Sequence, residues 1–393
     1  MELKCAIKNY DWGKLGNTSL VAQLAAKNDT TLTISENTPY AELWIGTHPS
    51  GDAIVKVSEI TLRKYIQNDP SCLGETHSFG NDIPFLLKVL SIRKALSIQV
   101  HPNKEQAKRL REQYPKLYLD DNHKPELAIA LTDFEALCGF RPLEDVSYFL
   151  QNIPELANLI DGDICHSFIK HPSTKLLEQC FASYMTASPV EARRNSAQLI
   201  DRLSNSDFSV QESQLADLFS TLNKQFPGDI GLFCIYFLNH VRLRRGEAIY
   251  LEAGLPHAYI QGDCVEIMAR SDNVVRAGLT PKVRDVNTLL EILKVEPSSA
   301  EDMKFQGRMF DKYVYLYKPP IPDFALARIC VPEGKTYTLP VLKHASILLV
   351  IEGSAECEFF EITRGIAVFL PSEQVVNFTV TSNLEMYQAF PNV

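Results

Sequence analysis

The stretch Ala95-Leu96-Ser97-Ile98-Gln99-Val100-His101, just after Val89-Leu90-Ser91-Ile92, sets two polar side chains, Gln99 and His101, two residues apart in apolar surroundings. On a strand that spacing puts both on one face, so they point into one site. Strand texture extends outward on both sides. Turns at Tyr10-Asp11-Trp12-Gly13 and His48-Pro49-Ser50-Gly51, apolar runs from Phe85 to Val89 and Leu96 to Val100, and then Glu126 to Leu131 and Phe134 to Phe140 make residues 1 to about 140 a β framework. Lys104 to Tyr118 interrupts it with helix formers and charge; Ala107, Leu110 and Tyr114 fall at helical spacing, which predicts an exposed helix or lid.

From Leu143 to about Lys224 the pattern is helical. Leu199, Ile200 and Leu203, then Leu215, Leu218, Phe219 and Leu222, recur at three- and four-residue intervals, and Ser188-Pro189-Val190-Glu191 reads as a helix start with Pro at the first helical position. A helical domain is therefore expected inside the β framework. Gly228 to Val241 fits either a buried strand or a short helix. Strand character resumes at Gly246-Glu247-Ala248-Ile249-Tyr250-Leu251-Glu252, breaks at Gly254 and Pro256, and continues through Cys264 to Met268, so two β runs flank a tight turn carrying His257. From about Met303 to Val393, short β-rich runs punctuated by Gly and Pro predict a separate all-β sandwich or barrel.

A chain of 393 residues is expected to form two or three domains. Its 45% hydrophobic and 22% charged content is that of a soluble globular protein. The net charge of −9 argues against a nucleic-acid partner, because phosphate backbones call for a surplus of Lys and Arg on one face; a local basic pocket for a small anion stays open. Nine cysteines without a Cys-x-x-Cys pair fit neither a disulfide framework nor a sulfur-rich zinc site, and read as reduced thiols. Met1-Glu2-Leu3-Lys4-Cys5-Ala6 lacks an apolar signal core and no apolar run is long enough to cross a bilayer, so a cytoplasmic protein without a membrane partner is expected.

Two more donors stand in distinctive settings: Glu126 in His123-Lys124-Pro125-Glu126, and His257 in Gly254-Leu255-Pro256-His257-Ala258-Tyr259. Imidazole and carboxylate without thiolate suit zinc and leave iron, cobalt and manganese open. The competing reading makes Gln99 and His101 ordinary strand residues and His257 a loop residue. Downstream, Glu266 to Lys282 (EIMARSDNVVRAGLTPK) crowds two arginines, a lysine and two acids onto a loop leaving a strand, where a solvated charged loop is the alternative.

The strings SIQVHPNK, NHKPELAIALTDFEALCGF, LPHAYIQGDCVEIMARSDNVVRAGLTPK and AELWIGTHPSG closely resemble the type I mannose-6-phosphate isomerases, or phosphomannose isomerases, and the resemblance runs the length of the chain. It implies a mainly β fold with α: two cupin-type jelly-roll β domains plus an inserted all-helical domain. The corresponding division is a zinc-carrying catalytic jelly roll from 1–142 with 226–302, a helical domain at 143–225, and a C-terminal cupin-like domain at 303–393. It also implies one Zn2+ per chain, held by Gln99, His101, Glu126 and His257, with Arg276 at the position of the family's catalytic arginine. The implied reaction is the reversible isomerisation of mannose 6-phosphate and fructose 6-phosphate. A proton moves between C1 and C2 through an enediol, and the product feeds GDP-mannose and glycan synthesis. A monomer acting on small sugar phosphates is expected.

The chemistry assigns provisional roles. A developing enediolate needs fixed positive charge in a site shielded from water, and a permanently protonated Arg276 meets that need. The base needs a pKa near working pH. Lys124, if desolvated, is favoured with Asp272 in support, and Glu266 is a further carboxylate for the task. His123 is a candidate for sugar-ring opening. Lys88, Ser97 and Lys282 are candidates for the phosphate, and Tyr259 for the pocket wall. Two rivals remain at this level: a cupin oxygenase, which calls for more histidines, and a non-catalytic sugar-phosphate-binding protein, which calls for a lost ligand or a lost Arg276.

Overall fold

A computed structural model describes residues 1–75, 79–205 and 210–393. The first β domain is a sheet ordered Ala6–Lys8, Glu42–Gly46, Phe85–Ile92, His257–Ala269, Glu126–Ala130, Ala248–Leu251 and Lys304–Phe305, every neighbouring pair antiparallel. The long strand His257–Ala269 belongs to two layers. Gly262 to Ala269 pairs with Phe85–Ile92, whereas His257 to Gln261 pairs with Phe134–Phe140 and, through His257, with Gln99. Gly262 makes the turn between layers: its φ is +114°, and a Cβ there would lie 2.5 Å from the Asp133 carbonyl oxygen.

Strict alternation builds this sheet. Phe85, Leu87 and Val89, with Leu127, Ile129, Val265 and Ile267, face a core shared with Ile347, Leu349, Phe369 and Tyr387 of the C-terminal domain. The intervening residues face the other way, so Lys88, Glu126 and Glu266 share the opposite face. A one-residue slip would exchange the charged set for the apolar one, and burial of the apolar face forbids it.

The C-terminal domain is a second sheet ordered Arg308–Asp311, Val314–Tyr317, Ala325–Val331, Asn377–Phe390, Ser346–Cys357 and Ala367–Leu370. The chain's first strand, Glu2–Lys4, adds to it by pairing with Ala367 and Val368, and Ile54–Val55 continues from there. N-terminal sequence thus completes the C-terminal sheet, an exchange that strand texture alone does not reveal.

Helices fill Leu143–Asn152, Pro154–Ala157, Gly162–Lys170, Thr174–Met185, Pro189–Asn205 and Val210–Gln225. Ser188 caps the fifth of these in reciprocal bonds with Glu191, as its sequence predicts. The ambiguous stretch is both things in turn: a 3-10 helix at Ile230–Tyr236 and then a strand at Leu238–Leu243. The 3-10 segment is buried throughout, so its apolar run carries no period to read. The expected lid is a helix over Lys104–Gln113 with Ala107 and Leu110 buried; Tyr114 falls just beyond it and is 53% exposed rather than on the buried face. All nine cysteines are free and seven are buried. Among the described residues no helix is long and apolar enough to cross a membrane. The fold is therefore the expected one: two jelly-roll β domains and an inserted helical domain.

Candidate active site and metal centre

A cavity of about 360 Å3 opens on the charged face of the first sheet. Gln99, Lys124, Glu126 and Arg276 line it, with Lys88, Glu266 and Tyr259 at its wall and Ser97, Asp272 and Lys282 also contributing. Strand register brings the key positions together: Gln99 is paired with both His257 and Arg276, and Glu266 with both Lys88 and Ala128. The segment that leads out of the helical domain holds the end of the Arg276 strand, because Asp229 Oδ1 accepts from Leu279 N at 2.8 Å.

His101, Glu126 and His257 are 0%, 2% and 1% exposed, and their ligating atoms all lie within 4.8 Å of one another. The tautomers follow from their partners. His101 Nδ1 meets the Asn273 carbonyl at 2.7 Å and His257 Nδ1 meets the Leu255 carbonyl at 2.9 Å; a carbonyl only accepts, so each Nδ1 carries the proton. Each neutral ring then presents a bare Nε2. These lie 3.5 and 3.4 Å from Glu126 Oε2, and none of the three atoms has a hydrogen-bond partner. Burial, reinforced by Lys124, pushes His101 down to about 4, which keeps it in the neutral, ligating form. Three buried lone pairs converging without a proton between them fit a cation, and this N/O set suits zinc.

Glu126 has divided duties. Its Oε1 accepts from Lys124 Nζ, leaving Oε2 for the imidazoles. Burial alone would raise this carboxyl, but Lys124 and His101 outweigh it and hold the group well below its ordinary range.

A second buried network runs along the wall. Lys88 Nζ lies 3.0 Å from Glu266 Oε2 and 3.5 Å from Glu42 Oε2, Tyr259 Oη donates to Glu266 Oε1 at 2.9 Å, and Trp44 Nε1 donates to Glu42. Burial raises Glu266, an effect that Lys88 opposes and Glu126 reinforces. Burial would lower Lys88, yet Glu266 and Glu42 prevail and raise it. Lys88, expected to meet the phosphate, stands mid-strand with its ammonium beside two carboxylates. Arg276, Ser97 and Lys282, in contrast, have no side-chain ion pair or hydrogen bond among the described residues. Burial pushes Arg276 down from its ordinary value with no carboxylate opposing.

His123 also departs from expectation. It does not line the cavity, and its Nε2 lies 3.1 Å from Asp323 Oδ2 in the C-terminal domain. The histidine on the cavity wall is His48, 3% exposed, with Nε2 3.4 Å from Asp272 Oδ1. Ser50 N donates to His48 Nδ1 at 3.2 Å, so Nε2 bears the proton and faces Asp272. That hydrogen bond, helped by Lys124 and Lys88, lowers Asp272. Sequence reasoning read His48 only as part of a turn, although it lies in the string AELWIGTHPSG that also carries Glu42 and Trp44.

Known proteins resemble the chain along its length. Residues 1–143 match the family model for the phosphomannose isomerase type I catalytic domain, 155–238 its helical insertion domain and 315–357 its C-terminal part. The chain is 43% identical to mannose-6-phosphate isomerase of Bos taurus, over 98% of this chain and 97% of that one. It is also 43% identical to the Homo sapiens protein of that name, over 96% and 95%. Among solved structures, the Salmonella typhimurium mannose 6-phosphate isomerase bound to fructose 6-phosphate and zinc aligns with a TM-score of 0.85 at 29% identity, covering 100% of this chain and 99% of that one. A mannose 6-phosphate isomerase bound with zinc and yttrium aligns at 0.86, also at 29% identity, with the same coverage.

Proposed function

The chain belongs to the type I phosphomannose isomerases, zinc enzymes that isomerise mannose 6-phosphate, and from that premise we propose how its residues do the work. Mannose 6-phosphate and fructose 6-phosphate interconvert by transfer of a proton between C1 and C2 through an enediol. One zinc is held by Gln99, His101, Glu126 and His257. The observation that carries this reading is the convergence of three unpartnered lone pairs on His101, Glu126 and His257. Bound there, zinc supplies Lewis acidity toward sugar oxygens.

The remaining roles fall to the chain itself. Arg276, half-buried and without a side-chain ion pair among the described residues, stabilises negative charge as it develops on the sugar oxygens. Lys124 carries the proton between C1 and C2, and Glu126 Oε1 orients its amine. Asp272, held by His48 and ionised, takes the anomeric hydroxyl proton in ring opening, the role first given to His123, and His48 orients it. Glu266 is saturated by Tyr259 and Lys88 and shapes the pocket's field rather than meeting substrate first. Ser97 and Lys282, whose side chains have no ion pair or hydrogen bond among the described residues, receive the phosphate. We divide the chain into a catalytic domain, 1–142 with 226–302, a helical insertion, 143–225, and a C-terminal domain, 303–393; the helix bounds support the insertion, while Glu2–Lys4 and Lys304–Phe305 cross over to the other domain's sheet. We place the enzyme in the cytoplasm as a monomer, supplying GDP-mannose and glycan synthesis.

The test is metal content together with isotope transfer. About one zinc per purified chain is expected, lost together with turnover when Glu126 is changed to Gln. Turnover of [2-2H]mannose 6-phosphate should release part of the label to solvent and carry the rest to C1 of fructose 6-phosphate; quantitative transfer to C1 with none reaching solvent, as a direct hydride shift gives, overturns the enediol route.

A further inference from the structure

Away from the ligands and the cavity wall, Asp120 gathers two distant pieces of chain around one carboxylate. Its Oδ1 accepts from Asn122 N at 3.0 Å, Ser271 Oγ at 2.7 Å and Asn273 Nδ2 at 3.1 Å, and its Oδ2 accepts from Asp272 N at 2.7 Å. Asn273 is 1% exposed and tightly held: its amide also donates to the carbonyls of Asp120 and Asn122, both at 2.9 Å. With its NH2 turned to these acceptors, Asn273 Oδ1 is left buried without a partner. The loop accepts that unpaired oxygen to keep Asn273 on Asp120. Flipping the amide would trade one unpaired oxygen for several clashing ones.

The reason to hold Asn273 so firmly is its backbone carbonyl, which accepts from His101 Nδ1 at 2.7 Å. We propose that Asp120 is a positioning residue for the metal centre: by fixing Ser271 to Asn273 it sets the tautomer and tilt of His101, and the same carboxylate fixes the peptide of Asp272. This inference rests on the reading that His101 Nε2 ligates the metal. Only a carboxylate serves, because every group meeting the Asp120 side chain is a donor; an amide there turns an NH2 toward N–H or O–H on one side. Partners that orient a ligating imidazole through its other ring nitrogen tune metal affinity without touching the metal.

The test measures zinc dissociation constants by competition with a chromogenic chelator. Asp120→Asn is expected to weaken zinc binding about 10-fold or more, and Ser271→Ala, a milder change, to weaken it in the same direction by less. Glu385→Gln, in the other domain, controls for general loosening and is expected to leave zinc affinity at the parent's value. Parent-like affinity in both Asp120→Asn and Ser271→Ala overturns the proposal, as does a loss in Glu385→Gln equal to theirs. His101→Ala separates the underlying reading: if it binds zinc as tightly as the parent, the ligand assignment fails, whatever Asp120 does.

Discussion

His123 Nε2 and Asp323 Oδ2 meet at 3.1 Å across 200 residues of sequence, joining the segment that carries Lys124 and Glu126 to the C-terminal domain. Asp323 is 3% exposed and immobilised by its domain, so it acts as a fixed post for that segment. Asp323→Ala is expected to lower kcat about tenfold, the scale of losing one charged hydrogen bond, with amide exchange in residues 121–126 accelerated. Steady-state kinetics beside hydrogen exchange checks it. Unchanged exchange would show that the bridge holds nothing in place.

Lys88 is predicted to matter for stability before it matters for binding. It lies between Glu266 and Glu42, all three buried, and removing it leaves two carboxylates facing each other without a cation. Breaking one partner out of a buried pair costs about 3–5 kcal/mol, so Lys88→Ala should lower the urea unfolding free energy by that order. A raised KM for sugar phosphate with unaltered stability would return Lys88 to the phosphate.

What could be seen in the chain without coordinates followed its periodicities. Gln99 and His101 announce a shared face because the strand period is two, and the helical insertion shows through its apolar spacing. The paired roles of Lys88, Glu266 and Glu42 were hidden, because they depend on which strands lie side by side and in what register. Asp120 and Asp323 were invisible for a related reason: each acts on a partner 150 or more residues away, and an acid in a loop carries no mark of what it will meet. His123 and His48 show the limit plainly. Both sit in strings that carry the family resemblance, and only the packing decides which imidazole reaches the cavity.

Arg276 provides the opposite case to Lys88. No carboxylate pairs with it among the described residues, so Arg276→Ala strands no buried acid and should leave the melting temperature near the parent's. Its effect should appear in kcat, with a fall on the order of 10²-fold or more, as when a preorganised donor to an oxyanion is removed. Arg276→Lys keeps a charge but loses the planar fork, and should recover only part of that loss. Near-normal turnover in the Ala variant would remove the electrostatic role.

The junction between the β domains should titrate in acid. Glu385 accepts from Arg328 Nε at 2.8 Å and from Arg245 Nε at 3.0 Å, and Arg245 belongs to the first domain's chain, between Leu238–Leu243 and Ala248–Leu251. Burial alone would raise Glu385, but Arg328 and then Arg245 outweigh it and set the carboxyl below its ordinary 4.5. A carboxyl lowered on folding adds stability in full above its unfolded value, and loses it as pH falls through the folded one. The parent should therefore be more stable than Glu385→Gln at pH 7, by about 1–3 kcal/mol for hydrogen bonds to a charged group. Below the ordinary carboxylate range the two should converge, because the parent's Glu385 is then protonated like the amide that replaces it. Thermal melts of both proteins from pH 7 downward check this, and a gap that stays constant into strong acid would show that the arginines contribute through packing rather than charge.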